Sequence, residues 1–479
     1  MLFSSLVFIA YFLPLLLGVY LLSGLRTAVL LTGSVIFYTW GEGEYVVLLA
    51  GLILLNFHLA QVLRKAQGRS RTMWLTVALI VDLGVLGTFK YANFIVQICN
   101  GLPGFPAVPP ISLRLPLGIS FFTFQLISYL VDIYRGDVKT ENNLWRFATY
   151  ILMFPHLIAG PIVRYAQIRD ELAERSYEHR KLGLGIQYFI VGLSQKVLIA
   201  NTVATLADHA FALRANELDA AVAWLGILSY TLQIYFDFSG YSNMAIGLAF
   251  MLGFTFPKNF DYPYAARSIT DFWRRWHMSL SFWLRDYLYI PLGGNRGGRS
   301  KTIRNLLIVF FLTGLWHGAA WKFVVWGLFH GTFLLVERVW LGFRLARLSS
   351  FIGWVYTIGV VMVGWVFFRA DNLGHAFLYL RHLFDPTQFY FLAVGTRILL
   401  TPEVVAALVL GAVLSFPLVP ALLDAAGKKR FSRSSEIGEA RLDTLYVHPQ
   451  PVPLLIGGFL LCCALLSSTS LNPFLYFRF

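Results

Sequence analysis

Apolar runs return along the whole length of the chain, at about 3–23, 27–40, 45–63, 73–89, 117–133, 147–163, 183–205, 220–236, 243–256, 304–316, 321–341, 352–369, 401–424 and 452–467. A helix needs about 20 apolar residues to cross about 30 Å of hydrocarbon, and most of these runs come near that length. The runs 27–40 and 243–256 fall short, as re-entrant or protein-buried pieces do. Charge points the same way. Only 13% of the residues are charged and 57% are hydrophobic, whereas soluble domains carry about 25% charged residues. So few charges cannot cover a water-facing surface of 479 residues. The reading is an all-α polytopic membrane protein of roughly eleven transmembrane helices plus re-entrant and interfacial helices. It is read as one integral membrane domain over 1–479, with core motifs in 235–331 and C-terminal helices in 352–479. The stretch from Leu2 to Leu22 reads as a first membrane helix, kinked at Pro14, rather than a cleaved signal.

The formal net charge is +14, but the basic residues fall in short runs between apolar stretches, such as Arg64-Lys65 and Lys428-Lys429-Arg430. That is the pattern of orientation by cytoplasmic positive charge, and no nucleic-acid partner is expected. Cys99, Cys462 and Cys463 have neither metal nor redox spacing, so no metal site and no disulfide framework is expected. Residues 100–116 are rich in Pro and Gly and read as an ordered loop. Residues 164–182 read as a solvated helix and turn, and 425–450 as a polar loop. Asp82, Lys90 and Asp132 stand alone near run ends, placed to snorkel. No internal repeat is evident, which weighs against a secondary transporter.

Residues 257–303 are neither a span nor an ordinary loop. Trp273, Trp276 and Trp283 alternate there with Arg274, Arg275 and Arg285. Ser268 is placed to cap a helix from Ile269, which would be amphipathic and lie in the headgroups with its tryptophans at the lipid interface. The turn Gly293-Gly294-Asn295-Arg296-Gly297-Gly298 is a candidate for phosphate contact through backbone amides. Ionisable groups inside apolar frames are candidates for chemistry. His317 follows Trp316 at the end of one run, His330 lies inside the next, and His277 closes Phe272-Trp273-Arg274-Arg275-Trp276-His277. His317 and His330 are thirteen residues apart, and converge only if Gly318-Ala319-Ala320 breaks the helix. A neutral imidazole can take a proton from a hydroxyl nucleophile and return it to a leaving group. Asp237, in Tyr235-Phe236-Asp237-Phe238-Ser239-Gly240-Tyr241-Ser242, is placed to orient an imidazole or to pair with Arg274, Arg275 or Arg285. His156, in Pro155-His156-Leu157-Ile158-Ala159-Gly160-Pro161, reads as structural. Soluble-enzyme signatures such as Gly-x-Ser-x-Gly and His-Glu-x-x-His are absent.

Several of these strings in order, with Phe89-Lys90-Tyr91-Ala92-Asn93, Trp283-Leu284-Arg285-Asp286-Tyr287-Leu288-Tyr289-Ile290 and Gly314-Leu315-Trp316-His317-Gly318, resemble the membrane-bound O-acyltransferase family. Within it the chain is similar to the bacterial subgroup serving alginate O-acetylation; relatives acting on cellulose, peptidoglycan or teichoic acid share the core strings. The resemblance implies an O-acyltransferase of the bacterial inner membrane. It would take acetyl from cytoplasmic acetyl-CoA, with no permanently bound cofactor, for O-acetylation of an exported polysaccharide. It further implies an extracytoplasmic acetyltransferase partner with a serine nucleophile. The family's essential histidine falls on His317, and its second polar position near His277. His317, His277 and His330 are thus the candidate catalytic residues. Asp237, Arg274, Arg275, Trp276, Arg285, Asn295, Arg296 and Trp316 are the candidate substrate and donor contacts. A donor and an acceptor on opposite faces require a polar passage, expected with His317 at its waist and Asp237, His277 and His330 on its walls. A bulky side chain at Gly318 is expected to block it without disturbing the bundle. The alternative is a polysaccharide exporter or a non-catalytic scaffold of a secretion complex.

Overall fold

The computed structural model of the chain describes residues 1–175, 178–345, 347–385, 387, 394–418 and 451–468; the whole of the loop expected at 425–450, with its basic run at 428–430, lies outside them. All regular elements among the described residues are helical. Five helices are long and apolar enough to cross a membrane: Tyr45–Lys65, Gly68–Asn100, His179–Ala212, Trp321–Leu341 and Ser350–Arg369. Phe8–Leu22, Pro402–Leu414 and Val452–Ser468 are apolar but shorter. Two compact units can be told apart. One is formed by Met1–Phe189 and Ser242–Pro257, the other by Ile190–Tyr241 with the described residues from Lys258 onward.

In the first unit the apolar run near 147–163 does not make one span. It divides into Leu144–Leu152, capped by the Asn143 side chain, and the four-residue Phe154–Leu157. At 1.5 Å per residue the longer piece reaches only about 14 Å, and it survives because protein surrounds it. Ile119–Arg135 runs against this break. Gly118 has φ +80°, and a Cβ there would lie 2.4 Å from the Leu157 carbonyl oxygen, so only glycine allows the approach. His156 is fully buried, bonds the Tyr150 carbonyl at 2.7 Å and stacks on Phe256, in keeping with a structural role. The Pro/Gly-rich loop is ordered by two asparagines, Asn93 bonding both backbone groups of Ile111 and Asn100 both of Val108.

Two sequence expectations fail in this unit. Asp82 does not snorkel: it is 2% exposed and accepts a hydrogen bond from Asn56 Nδ2 at 2.8 Å, because a neighbouring helix supplies a partner where lipid would not. The connector at 164–182 is more than a solvated face. Glu171 accepts from the Thr255 backbone N–H at 2.9 Å and hydroxyl at 2.8 Å, and pairs with the buried Lys181 at 3.4 Å.

In the second unit, the expected separation of runs 220–236 and 243–256 is overturned. Ala220–Met251 is one helix of 32 residues, whose residues from Ser242 belong to the first unit. The polar string at 237–242 interrupts hydropathy without interrupting the helix, since Asp237, Ser239 and Ser242 are all buried and meet protein rather than lipid. Gly240 allows the close approach: a Cβ would lie 2.7 Å from the Gly192 carbonyl oxygen. The helices Gly298–His317 and Trp321–Val336 form a tight hairpin. A Cβ on Gly314 would lie 2.3 Å from the Phe323 oxygen, and one on Gly327 2.2 Å from the Phe310 oxygen. Small residues that bring backbones together are the usual device of membrane helix packing.

Candidate active site

The expected helix from Ile269 forms, with the Ser268 hydroxyl accepting from the Asp271 N–H at 3.0 Å. It ends after Arg275, and a second short helix, Met278–Leu284, follows His277, which has φ +44°. This left-handed conformation is uncommon outside glycine. The segment is not an interfacial helix with tryptophans in the headgroups. Trp273, Trp276 and Trp283 are 9%, 1% and 6% exposed, and Trp276 packs against Phe260, Phe272 and Trp365. The aromatic residues that looked like lipid anchors are the core of this unit, because the kink at His277 folds both short helices into protein.

The break expected after His317 is present. Gly298–His317 ends on this residue, and Trp321–Val336 begins after Gly318-Ala319-Ala320. The reversal brings the three candidate histidines into one chain of rings. His277 lies 6.0 Å from Trp316, Trp316 4.8 Å from His317, His317 4.8 Å from Trp326, and Trp326 5.3 Å from His330, centroid to centroid. Most of these contacts are near edge-on, as aromatic quadrupoles prefer. All three imidazoles are buried. Gly364 makes room for His330: a Cβ there would lie 2.6 Å from Nε2. Gly318 has no spare room either, since a Cβ would lie 2.1 Å from the Phe323 ring. A bulky residue at Gly318 would therefore displace Phe323, contrary to the expectation that it blocks transfer without disturbing the bundle.

His277 is oriented by a residue that sequence reasoning passed over. Asn259 Oδ1 lies 3.1 Å from His277 Nδ1, 2.8 Å from Ser279 Oγ and 3.3 Å from the Ser279 backbone N–H. A backbone N–H only donates, so this atom of Asn259 is the oxygen, and His277 Nδ1 must carry a proton to meet it. Burial lowers the pKa of His277, so the ring is neutral and its second nitrogen, Nε2, keeps its lone pair. That atom is buried and makes no hydrogen bond to another described residue. A fixed tautomer with a free lone pair is what a general base requires. Nothing in the string Pro257-Lys258-Asn259-Phe260 marks the asparagine; only the fold brings it to the histidine.

The remaining candidates are distributed differently from expectation. Asp237 is ion-paired with Lys196, and both are buried; the partner is not one of the three arginines named for it. Lys196 lies in a π-helical stretch, Gln195–Ala200, a rare form often seen at functional positions. Arg275 pairs with Asp271 at 2.8 Å, and Arg285 with Asp286 through two contacts of 2.6 and 3.1 Å. Arg274 and Arg296 are exposed. In the glycine turn, the N–H groups of Gly293, Gly294 and Arg296 bond the carbonyls of Ile290, Tyr289 and Gly293, so those three amides are not available to a phosphate. The Asn295 side chain accepts from Tyr289 Oη and from Arg338 Nη2. Among the described residues no three His, Cys, Asp or Glu side chains gather as a metal-ion set.

Comparison with known proteins bears on the chain as a whole. The profile of MBOAT, the membrane-bound O-acyltransferase family, matches residues 138–373. A probable alginate O-acetylase of Azotobacter vinelandii is 42% identical over all of both chains. One of Pseudomonas aeruginosa is 48% identical over 78% of this chain and 73% of its own. A peptidoglycan O-acetyltransferase of Helicobacter pylori is 37% identical over 78% of each.

Proposed function

This chain belongs to the membrane-bound O-acyltransferase family, and on that premise we propose that it transfers acetyl groups for the O-acetylation of an exported polysaccharide, alginate first among the candidates. The full-length likeness to a probable alginate O-acetylase is the observation that carries the substrate class. The ring chain joining His277, His317 and His330 supports the site. In this reading acetyl-CoA binds from the cytoplasmic side of the inner membrane. The acceptor is a serine hydroxyl on an extracytoplasmic partner, which passes acetyl on to the sugar. The charged nucleotide would be costly to move through hydrocarbon, so only the acyl group crosses, through a polar passage at His317.

The chemistry balances with one histidine as the base. The acceptor hydroxyl attacks the thioester carbonyl while an imidazole nitrogen takes its proton. The new C–O bond forms, the C–S bond breaks, and the proton goes to the departing thiolate. We assign the base to His317, with His277 Nε2 and His330 lining the path. Losing a general base typically costs about 10²–10⁴-fold in rate. A well-expressed His317→Ala chain is therefore expected to insert normally and lose acetyl transfer, read by mass spectrometry of the polymer. Near-normal acetylation would sink the assignment. Continued polymer export by the same variant separates the enzyme from an exporter or scaffold, which would lose both.

A further inference from the structure

Away from the three histidines, the second unit holds a cavity of about 780 Å³, within the roughly 300–1,000 Å³ of small-molecule sites. Arg267 and Arg338 line it, together with Asp271, Glu337 and Ser350. The acids in its wall are already engaged. Glu337 accepts from the Ile269 N–H at 2.5 Å, the Thr270 N–H at 2.9 Å and the Thr270 hydroxyl at 2.6 Å, while Asp271 pairs with Arg275. Among the described residues, Arg338 is held only by the neutral oxygen of Asn295, at 3.0 Å. No described residue hydrogen-bonds or ion-pairs with the Arg267 side chain, which is exposed. Two guanidiniums therefore face the cavity without a carboxylate of their own among the described residues. A neighbouring cavity of about 650 Å³ shares Arg267, Asp271 and Ser350 and is walled by Phe351, Trp354 and Phe416. Planar guanidinium forks fit phosphate oxygens bidentately, and aromatic faces beside them fit a ring or an acyl chain.

We propose that these joined cavities are a binding site for a phosphate ester carrying a flat or apolar group, with Arg267 and Arg338 as the residues that take the phosphate. Two sources offer this chemistry: the nucleotide end of a coenzyme A thioester, and the headgroup of an anionic phospholipid. The first rests on the acyltransferase reading above, and the site then replaces the arginines of 274, 275, 285 and 296 as the donor's phosphate contact.

The test uses the full chain purified in detergent, with coenzyme A as one probe and phosphatidylglycerol nanodiscs, against phosphatidylcholine, as the other. Arg267→Gln and Arg338→Gln are compared with Lys139→Gln, an exposed lysine of the other unit. Each arginine variant is expected to weaken binding about tenfold, the size of one charge-assisted contact, with unchanged thermal unfolding. Loss of coenzyme A affinity alone identifies the donor as occupant; loss of phosphatidylglycerol preference alone identifies lipid; loss of both identifies one site open to either. Wild-type binding of both probes by the double variant would overturn the proposal. His317→Ala should keep coenzyme A affinity while losing acetyl transfer; a wild-type chain that binds through Arg267 yet acetylates nothing would defeat the function and not the site.

Discussion

At the scale of single residues, His277 and Asn259 make the sharpest test. Asn259 Oδ1 holds His277 Nδ1 in its protonated form, and on the proposed function it acts through the histidine as a positioning residue. Asn259→Ala removes that acceptor and leaves the Ser279 hydroxyl and N–H without it, a loss of about 1–3 kcal/mol for buried polar groups. The His277 ring is then free to change tautomer. Acetyl transfer should fall, and the fall should exceed what the drop in thermal stability explains. Asn259→Asp keeps an acceptor but adds a negative charge, which favours imidazolium. Its acidic limb should move to higher pH, because the neutral His277 ring that lines the path is lost sooner as pH falls. A purely structural asparagine would leave the pH profile of Asn259→Asp where the wild type has it. The aspartate variant should also recover part of the activity that alanine loses.

Single elements pose a packing question that hydropathy does not. The hairpin of Gly298–His317 and Trp321–Val336 depends on Gly314 and Gly327, whose missing side chains let the backbones meet. Gly327→Ala places a methyl 2.2 Å from the Phe310 oxygen and is expected to cost at least about 1–3 kcal/mol, as overpacking does. Gly51, in the helix Tyr45–Lys65, has open space where a methyl would sit, with nothing within 4 Å. Gly51→Ala should therefore raise stability by about 0.5–1 kcal/mol through helix propensity alone. Thermal unfolding in detergent distinguishes the two. Equal shifts would mean that the hairpin is not held by glycine contact. Because the hairpin also sets His317 against Trp326, Gly327→Ala should reduce acetyl transfer as well, whereas Gly51→Ala should not.

For the whole molecule, orientation in the bilayer is the open choice, and charge supplies the argument. Arg296, Arg299, Lys301 and Arg304 follow one another around the start of Gly298–His317 and are exposed, and such clusters stay on the cytoplasmic side. Arg296→Cys, in a chain whose own three cysteines are replaced by alanine, should react with an impermeant maleimide only after the cytoplasmic face is opened. Labelling in intact, outer-membrane-permeabilised cells would invert the topology and place the Arg267 and Arg338 cavity on the wrong side for a cytoplasmic donor.

Membrane residence, helical class and the positions of the three histidines were legible in the sequence, because each rests on local chemistry. Apolar runs of a given length must be helical in lipid, and Ser268 is of the type that caps a helix; that Gly318-Ala319-Ala320 ends one was only a condition in the sequence, since alanine favours helix, and the fold met it. The family strings added the acyltransferase expectation. What the tertiary structure decided was everything that depends on which atoms face one another. Hydropathy could not tell that the polar string around Asp237 continues a helix, because buried partners such as Lys196 replace the water that a polar group would otherwise seek. Nor could it tell interfacial tryptophans from core ones: Trp276 suits either place by composition, and only the kink at His277 turns it inward. Asn259 lies eighteen residues from His277, and no periodicity links them. A local pattern reports what a residue can do, whereas a shared proton or a close backbone crossing depends on distance in space, which only the folded chain sets.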